Sequence, residues 1–301
     1  MGTPPLVTVV IPTWNRLELL QEAIASVVAQ TCPNWELIVV DDGSTDGTPA
    51  HLRAISDPRI RAIAVDRLGK VGHLRNIGAA AGTAGWIAFL DSDDLWMPDK
   101  LEIQLEALEA SGADWCYGQC ELLNPNGETL PIRAGRFRPI SGKIVDDLLA
   151  DRTGAYIGTV LVRRDLFESL GGFDESLPNR EDLDFELRLA AGAKAVAVSR
   201  IVTRVREHEG RRTRLLSTPH EESALIFERF RKRHPRGRSE RLARRREARL
   251  LAEAGAQRIA DHQYAKGAHL LLRALMLGVP PGFWVRSAAG GLRKSIAVKR
   301  F

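Results

Sequence analysis

The stretch LVTVVIPTWNRLELL, Leu6 to Leu20, changes character twice within fifteen residues. Leu6 to Ile11 is a continuous β-branched run, which fits a strand covered on both faces rather than one with a wet side. Pro12 to Arg16 breaks the run. From Leu17 the apolar residues recur at helical spacing, at Leu17, Leu20, Ile24, Val27 and Val28. The same alternation then repeats along the chain. Glu36 to Val40 (ELIVV) reads as a second strand, and Thr48-Pro49 as the cap and first position of a helix over PAHLRAI. Arg61 to Val65 is a third strand, followed by a helix around Asn76 to Ala81, and Trp86 to Leu90 is a fourth. From Pro98 a helix places Leu101, Leu105 and Leu108 on one face and Glu102, Glu106 and Glu109 on another. Strand and helix in alternation predict an α/β fold with a mainly parallel central sheet, flanking helices and right-handed crossovers.

The middle of the chain is less regular. DWCYGQCELL followed by NPNG reads as a strand running into a tight turn. GTVLVRRDLFESLGGFDESL reads as a strand, a short helix and a Gly-Gly turn, with Leu183, Leu187 and Ala190 as the buried face of the next helix. Beyond about Leu215 the pattern becomes helical and Arg-rich, broken at Pro235-Arg236-Gly237, and a last apolar helix, GAHLLLRALMLG, stops at Pro280-Pro281. This divides the chain into residues 1–215, an α/β domain, and residues 216–301, a basic α-helical extension. The formal charge of +5 conceals that division: residues 1–200 carry 19 Lys and Arg against 29 Asp and Glu, whereas residues 201–301 carry 24 against 9. A basic rear half faces something anionic or is solvated.

At 301 residues, 44% hydrophobic and 27% charged, the composition is that of a soluble globular protein. Met1 to Pro5 leads into a strand with no basic-then-apolar signal segment, and no apolar run reaches the ~18 residues a spanning helix needs. Cys32, Cys116 and Cys120 lack metal-type spacing; Cys116 and Cys120, an even number apart, are expected to face the same core in a reducing cytoplasm.

In open parallel sheets ligands gather at the carboxyl ends of the strands. Here those ends read Pro12-Thr13-Trp14-Asn15-Arg16, then Asp41-Asp42-Gly43-Ser44-Thr45-Asp46-Gly47, then Asp91-Ser92-Asp93-Asp94. No GxGxxG or GxxxxGK[ST] loop is present to grip phosphate with backbone N–H groups. Carboxylates alone repel phosphate; with a divalent cation between them they bind it. Asp91 and Asp93 converge if the strand stays extended through Ser92, and Asp94 then points away and starts the next turn. Asp46-Gly47 reads as a solvated turn.

Four segments in order, VTVVIPTWNR, SVVAQTCPNWELIVVDDGSTDGT, LRNIGAAAGTAGWIAFLDSDDLWMPDKLE and GGFDESLPNREDLDFELRL, resemble the family 2 glycosyltransferases of GT-A (Rossmann-like) fold over roughly the first 210 residues. The resemblance implies an inverting enzyme that moves a sugar from a nucleoside-diphosphate donor, a UDP-sugar, to a hydroxyl of a glycan or lipid-linked acceptor, as a hexosyl- or N-acetylhexosaminyl-transferase. It implies that Pro12, Thr13 and Trp14 pack around the base, that Asp42 accepts from the base N–H, and that Arg75 lies near the diphosphate. Asp91-Ser92-Asp93 matches the family's DxD motif, with Asp93 on a Mg²⁺ or Mn²⁺ ion and Asp91 on the ribose or the metal shell. Asp182 matches the general base, Gly172, Phe173 and Glu181 fall on the acceptor side, and His208 falls where many members carry a metal or diphosphate ligand. Asp182 also sits where any Asp caps a helix; the macrodipole lowers its pKa and burial beside carboxylates raises it. Arg211, Arg212 and Arg214 close over the phosphates or belong to the basic face.

Two rivals use the same acidic strand ends. A metal-dependent nucleotidyltransferase needs a basic, glycine-bearing loop after the first strand, and IPTWNR has one arginine and no glycine. A non-catalytic nucleotide-sugar binder would keep Asp42 and lose the base, yet NRED retains it. The basic tail either rests on an anionic membrane, at the inner face of the cell membrane near a lipid-linked acceptor, or packs as a helical appendage with solvated arginines. Arg273 and two prolines spoil a clean membrane face and favour the appendage. No aromatic-interleaved basic motif points to nucleic acid.

Overall fold

The computed structural model describes residues 4–124, 127–130, 138–207 and 219–278. The chain divides into two compact units, Met1–Glu209 and Gly210–Phe301.

In the first unit, β1 (Val7–Thr13), β2 (Trp35–Asp42), β3 (Ile60–Val65) and β4 (Trp86–Phe89) pair in parallel in the order β3-β2-β1-β4. The helices between them are α1 (Leu17–Val28), α2 (Thr48–Ala54) and α3 (Val71–Ala81). Every residue of β1 is buried, which is why its sequence is apolar without alternation. Val7, Val9, Ile11, Leu37 and Val39 pack with Leu20, Ala23, Ile24 and Val27 of α1. On the opposite face Ile38 and Val40 pack with Leu74 of α3. Gly78 lets α3 lie close on the sheet, since a Cβ there would meet Val10 Cγ1 at 2.3 Å. The third crossover returns the chain past β1, so β1 and β4 flank the point where strand order reverses and a crevice opens.

Beyond β4 the sheet becomes mixed. It continues through β8 (Leu161–Arg163), β6 (Trp115–Leu123), β9 (Ala195–Arg206) and β5 (Leu95–Trp96), with β7 (Thr129–Leu130) on β6. β4–β8, β6–β8, β5–β9 and β6–β7 are antiparallel, and β6–β9 is parallel. The expected α/β architecture is present, with its parallel character concentrated in β1 to β4. α4 (Lys100–Ser111), α5 (Val145–Leu149), α6 (Arg164–Ser169) and α7 (Glu181–Gly192) complete the unit. β9, a twelve-residue strand, went unread in the sequence because Arg200, Arg204 and Arg206 make it resemble the basic tail.

Two local expectations are corrected. Register shifts between Tyr117 and Cys120 break the alternation of β6, so Cys116 is buried and Cys120 only half-buried. Leu183 is half-buried, and Phe185 and Leu189 join Leu187 and Ala190 as the apolar residues α7 buries. On α4, Leu101 and Leu108 are buried and Glu102, Glu106 and Glu109 exposed, as the spacing predicts, and Lys100 and Gln104 are buried with the leucines.

The second unit contains α8 (Pro219–Arg233), α9 (Gly237–Ala260) and α10 (Tyr264–Met276). Ala224, Ala248, Leu251, Ala252, Ala254, Leu270 and Ala274 form its core. Gly255 and Gly267 bring α9 and α10 together: a Cβ on Gly267 would lie 2.9 Å from the Gly255 carbonyl oxygen. Several of its arginines pair across helices instead of being solvated, including Arg231 with Glu247 at 3.0 Å and Arg273 with Glu228 at 3.0 Å. No helix among the described residues is long and apolar enough to cross a membrane.

Candidate active site

The carboxyl ends of β1, β2 and β4 bring the sequence-predicted residues to one side of the sheet. Pro12 and Thr13 are buried within β1, Pro12 opposite Val40, and Trp14 emerges 44% exposed. Asp42, the last residue of β2, is buried; it accepts from Leu68 N at 2.6 Å and Gly69 N at 3.0 Å, and pairs with the Arg67 guanidinium. Asp46 is exposed, as a solvated turn should be, and also accepts from Leu17 N and Thr48 N, tying the starts of α1 and α2 together.

β4 ends at Phe89, so the acidic stretch is a turn and not an extended continuation of the strand. Asp94 N donates to Asp91 O at 3.0 Å, and that turn swings Asp94 inward. Carboxylate oxygens of Asp91, Asp93 and Asp94 lie within 4.8 Å of one another. This corrects the expectation that Asp94 points away to start the next turn: it is a member of the cluster. Ser92 is buried.

Cationic and hydrogen-bonding partners hold the cluster in place. Arg16 Nη1 donates to Asp93 Oδ2 at 2.7 Å, and Arg75 Nη2 to Asp91 Oδ1 at 2.6 Å. Tyr156 Oη lies 2.9 Å from Asp91 Oδ2 and 2.5 Å from Asp94 Oδ2, and Arg206 N of β9 donates to Asp94 Oδ1 at 3.0 Å. Burial, then the charges of Asp93 and Asp91, push the Asp94 carboxyl well above the usual carboxylate range. Burial and the same carboxylates push the Tyr156 hydroxyl well above its ordinary value. Tyr156, Arg67 and Arg206 were not singled out in the sequence, because each reaches the site from a loop or strand distant in the chain, and Arg16, quoted as part of the first strand end, was given no role there.

Arg75 is fully buried, which excludes a surface-arginine role. Its other nitrogen, Nη1, donates to Glu181 Oε1 at 2.9 Å, so its guanidinium bridges the acidic turn to the start of α7. Burial acts to lower its pKa, but Asp91, Glu181 and Asp182 outweigh that and raise it. Gly72 makes the approach possible: a Cβ there would meet Glu181 Cγ at 3.1 Å. Asp182 follows Glu181 at the head of α7 and is half-buried. Burial and the adjacent Glu181 carboxylate raise its pKa, more than Arg75, the Leu183 N–H and Arg180 lower it.

The acceptor-side candidates are packed against or paired with other residues of the first unit. Phe173 is buried in an aromatic cluster, 5.0 Å from Phe89 and 4.7 Å from Phe185 between ring centroids. Glu181 is buried on Arg75. Gly172 adopts φ +64 in a turn clamped by Asn76, whose side chain donates to Phe173 O and accepts from Phe173 N, both at 2.9 Å. A Cβ on Gly172 would lie 2.6 Å from Asn76 Oδ1. His208, Arg211, Arg212 and Arg214 lie outside the described residues.

Hard carboxylate oxygens converging beside an exposed aromatic and a half-buried carboxyl group suit a divalent cation, a flat heterocycle and a proton transfer. Residues 8–171 match the profile described as Glycosyl transferase family 2. Over 126 residues the chain is 41% identical to the succinoglycan biosynthesis protein ExoO of Rhizobium meliloti, covering 42% of this chain and 36% of that one. Over 121 residues it is 36% identical to the UDP-Glc:alpha-D-GlcNAc-diphosphoundecaprenol beta-1,3-glucosyltransferase WfgD of Escherichia coli, covering 40% of this chain and 48% of that one. The matched part thus spans less than half the length of these curated relatives. Among solved structures, S. aureus TarS 1-349 in complex with UDP-GlcNAc aligns over 84% of this chain and 72% of its own, with a TM-score of 0.60 at 19% identity, a likeness of fold. With its family match over residues 8–171, the chain belongs to glycosyl transferase family 2.

Proposed function

We propose that this protein transfers a sugar from a UDP-sugar to a hydroxyl of a glycan or lipid-linked acceptor, with inversion at the anomeric carbon. The observation that carries the reading is the convergence of Asp91, Asp93 and Asp94 at the carboxyl end of β4, joined through buried Arg75 to the helix that begins Glu181-Asp182. The names of relatives that act on a UDP-sugar or bind UDP-GlcNAc support the donor class, and a diphosphoundecaprenol acceptor in one of those names supports the lipid-linked alternative.

The donor set fits Mg²⁺ or Mn²⁺: hard oxygens, close together, and already drawing the cationic groups of Arg16 and Arg75. Asp93 and Asp91 would hold the ion, with Asp94 beside them. A divalent cation there supplies positive charge against the departing diphosphate. The protein's own residues do the rest. Trp14 and Asp42 receive the base, Arg75 keeps Asp91 and Glu181 in position, and Asp182 takes the acceptor hydroxyl proton. As that proton passes to the carboxylate, the hydroxyl oxygen bonds to the anomeric carbon and the bond to the diphosphate oxygen breaks, its electron pair leaving with the nucleoside diphosphate. A base with a raised pKa is better matched to removing a hydroxyl proton near neutral pH. The reaction would take place in the cytoplasm, and the basic helical unit is proposed to meet anionic lipid at the membrane's inner face when the acceptor is lipid-linked.

A panel of nucleotide-sugars, scored for thermal stabilisation and for hydrolysis with Mn²⁺ or with a chelator, tests the reading. UDP-sugars should stabilise the protein and be turned over only with the metal. Stabilisation without any turnover or transfer would favour a non-catalytic binder, and turnover of nucleoside triphosphates would favour a nucleotidyltransferase.

A further inference from the structure

The loop after β3 reaches back over the end of β2. Two of its backbone N–H groups, from Leu68 and Gly69, are held on the Asp42 carboxylate. Gly43, at φ +70, leaves room for it: a Cβ there would meet the Arg67 backbone nitrogen at 3.1 Å and its Cα at 3.4 Å. The backbone of residues 67–69 is therefore anchored to a carboxylate that is 1% exposed. The Arg67 guanidinium is placed differently. Its side chain is 45% exposed, it pairs with Asp42, and it lies over the Trp14 ring at 3.9 Å from the centroid.

A guanidinium in this position makes two contacts, a flat face on an indole and an N–H edge on a carboxylate. A nucleobase with a ring N–H offers the same pair of contacts and is also planar. Arg67 and the base thus claim the same face of Trp14 and the same carboxylate. Leu68 and Gly69 hold the loop on Asp42 without help from Arg67, so the guanidinium can swing into solvent while the loop stays. We propose that Arg67 is a gate on the base pocket, occupying the place of the base until a nucleoside diphosphate displaces it. The inference rests on the nucleotide-sugar reading above. It follows that wild-type affinity is reduced by the fraction of molecules in which the gate is closed.

Calorimetric titration of wild type, Arg67→Ala and Arg67→Lys with UDP in the presence of Mn²⁺ tests this, with inorganic pyrophosphate as a probe that lacks a base. Arg67→Ala is expected to bind UDP about tenfold more tightly than wild type and pyrophosphate no more tightly. Arg67→Lys keeps the charge without the plane or the fork, and is expected to fall between the two. UDP binding that is unchanged or weaker in Arg67→Ala overturns the gate and leaves the donor assignment standing. An equal gain for pyrophosphate also overturns it, because the effect would not act through the base. UDP that binds none of the three proteins overturns the donor assignment, and the gate with it.

Discussion

Lys100 is enclosed completely, and among the described residues no carboxylate forms an ion pair with it. Its Nζ donates to Gln104 Oε1 at 2.6 Å and lies 4.2 Å from the centroid of the Trp96 ring, with Cys116 close by. Burial pulls the ammonium down from 10.5 to about 7. In the unfolded chain the same group titrates at about 10.4. Between those values the unfolded state carries a proton that the folded state has lost, so the free energy of unfolding rises with pH. From pH 7 to pH 9 the gain from this group is about 2 kcal/mol. Cys116, pushed up to about 11 by burial, acts in the opposite sense, because its unfolded thiol ionises first. That offsets about 0.8 kcal/mol over the same interval. Lys100→Met fills similar space without a titrating group, and leaves the Cys116 contribution in both proteins. Urea unfolding at the two pH values should therefore show wild type gaining about 2 kcal/mol relative to the variant. Equal pH slopes in the two proteins would mean that Lys100 stays charged in the folded state, and the reasoning would fail. The lysine matters to the site as well. Gln104 Nε2 donates to Thr159 O at 2.8 Å and Trp96 Nε1 to Gly158 O at 2.9 Å, so these residues carry the turn that presents Tyr156 to the acidic cluster.

Asp182→Asn is expected to lower transfer by about 10²- to 10⁴-fold while UDP affinity by calorimetry is unchanged. Burial and Glu181 raise the Asp182 pKa, so the wild-type rate should fall as pH drops through a value above the usual carboxylate range, and the residual rate of the variant should lack that limb. Tyr156→Phe removes the hydroxyl lying between Asp91 and Asp94 and should reduce stability by about 1–3 kcal/mol in urea unfolding. Gly78→Ala drives a Cβ to 2.3 Å from Val10 Cγ1 and should cost about 1–3 kcal/mol despite alanine's better helix propensity. Gly85→Ala, with nothing within 4 Å, should leave the melting temperature nearly unchanged.

The parallel half of the sheet was legible because its signal is local. Val7 to Ile11 and Leu37 to Val40 are buried without alternation since both faces of those strands are covered, and apolar spacing located the buried faces of α1 and much of α4. The mixed half was harder to read. β9 hides its pairing with β6 behind three arginines, and register shifts in β6 defeat the parity rule that placed Cys116 and Cys120 together. At the site, Asp42, Asp91 and Asp93 were found as acidic strand ends. Asp94 was placed wrongly because the rule for extended chain was applied to a turn.

By itself the sequence determined which residues are apolar, where strands give way to helices and which strand ends are acidic, because those properties are carried by neighbours along the chain. Only the tertiary structure decided what the charged groups do there. Arg16, Arg67, Tyr156 and Arg206 come from separate segments to neutralise or hydrogen-bond the two acidic strand ends, and Arg75 is drawn inside to join Asp91 to Glu181. A buried carboxylate needs a partner wherever the fold can bring one, and distance along the chain does not predict which partner it will be.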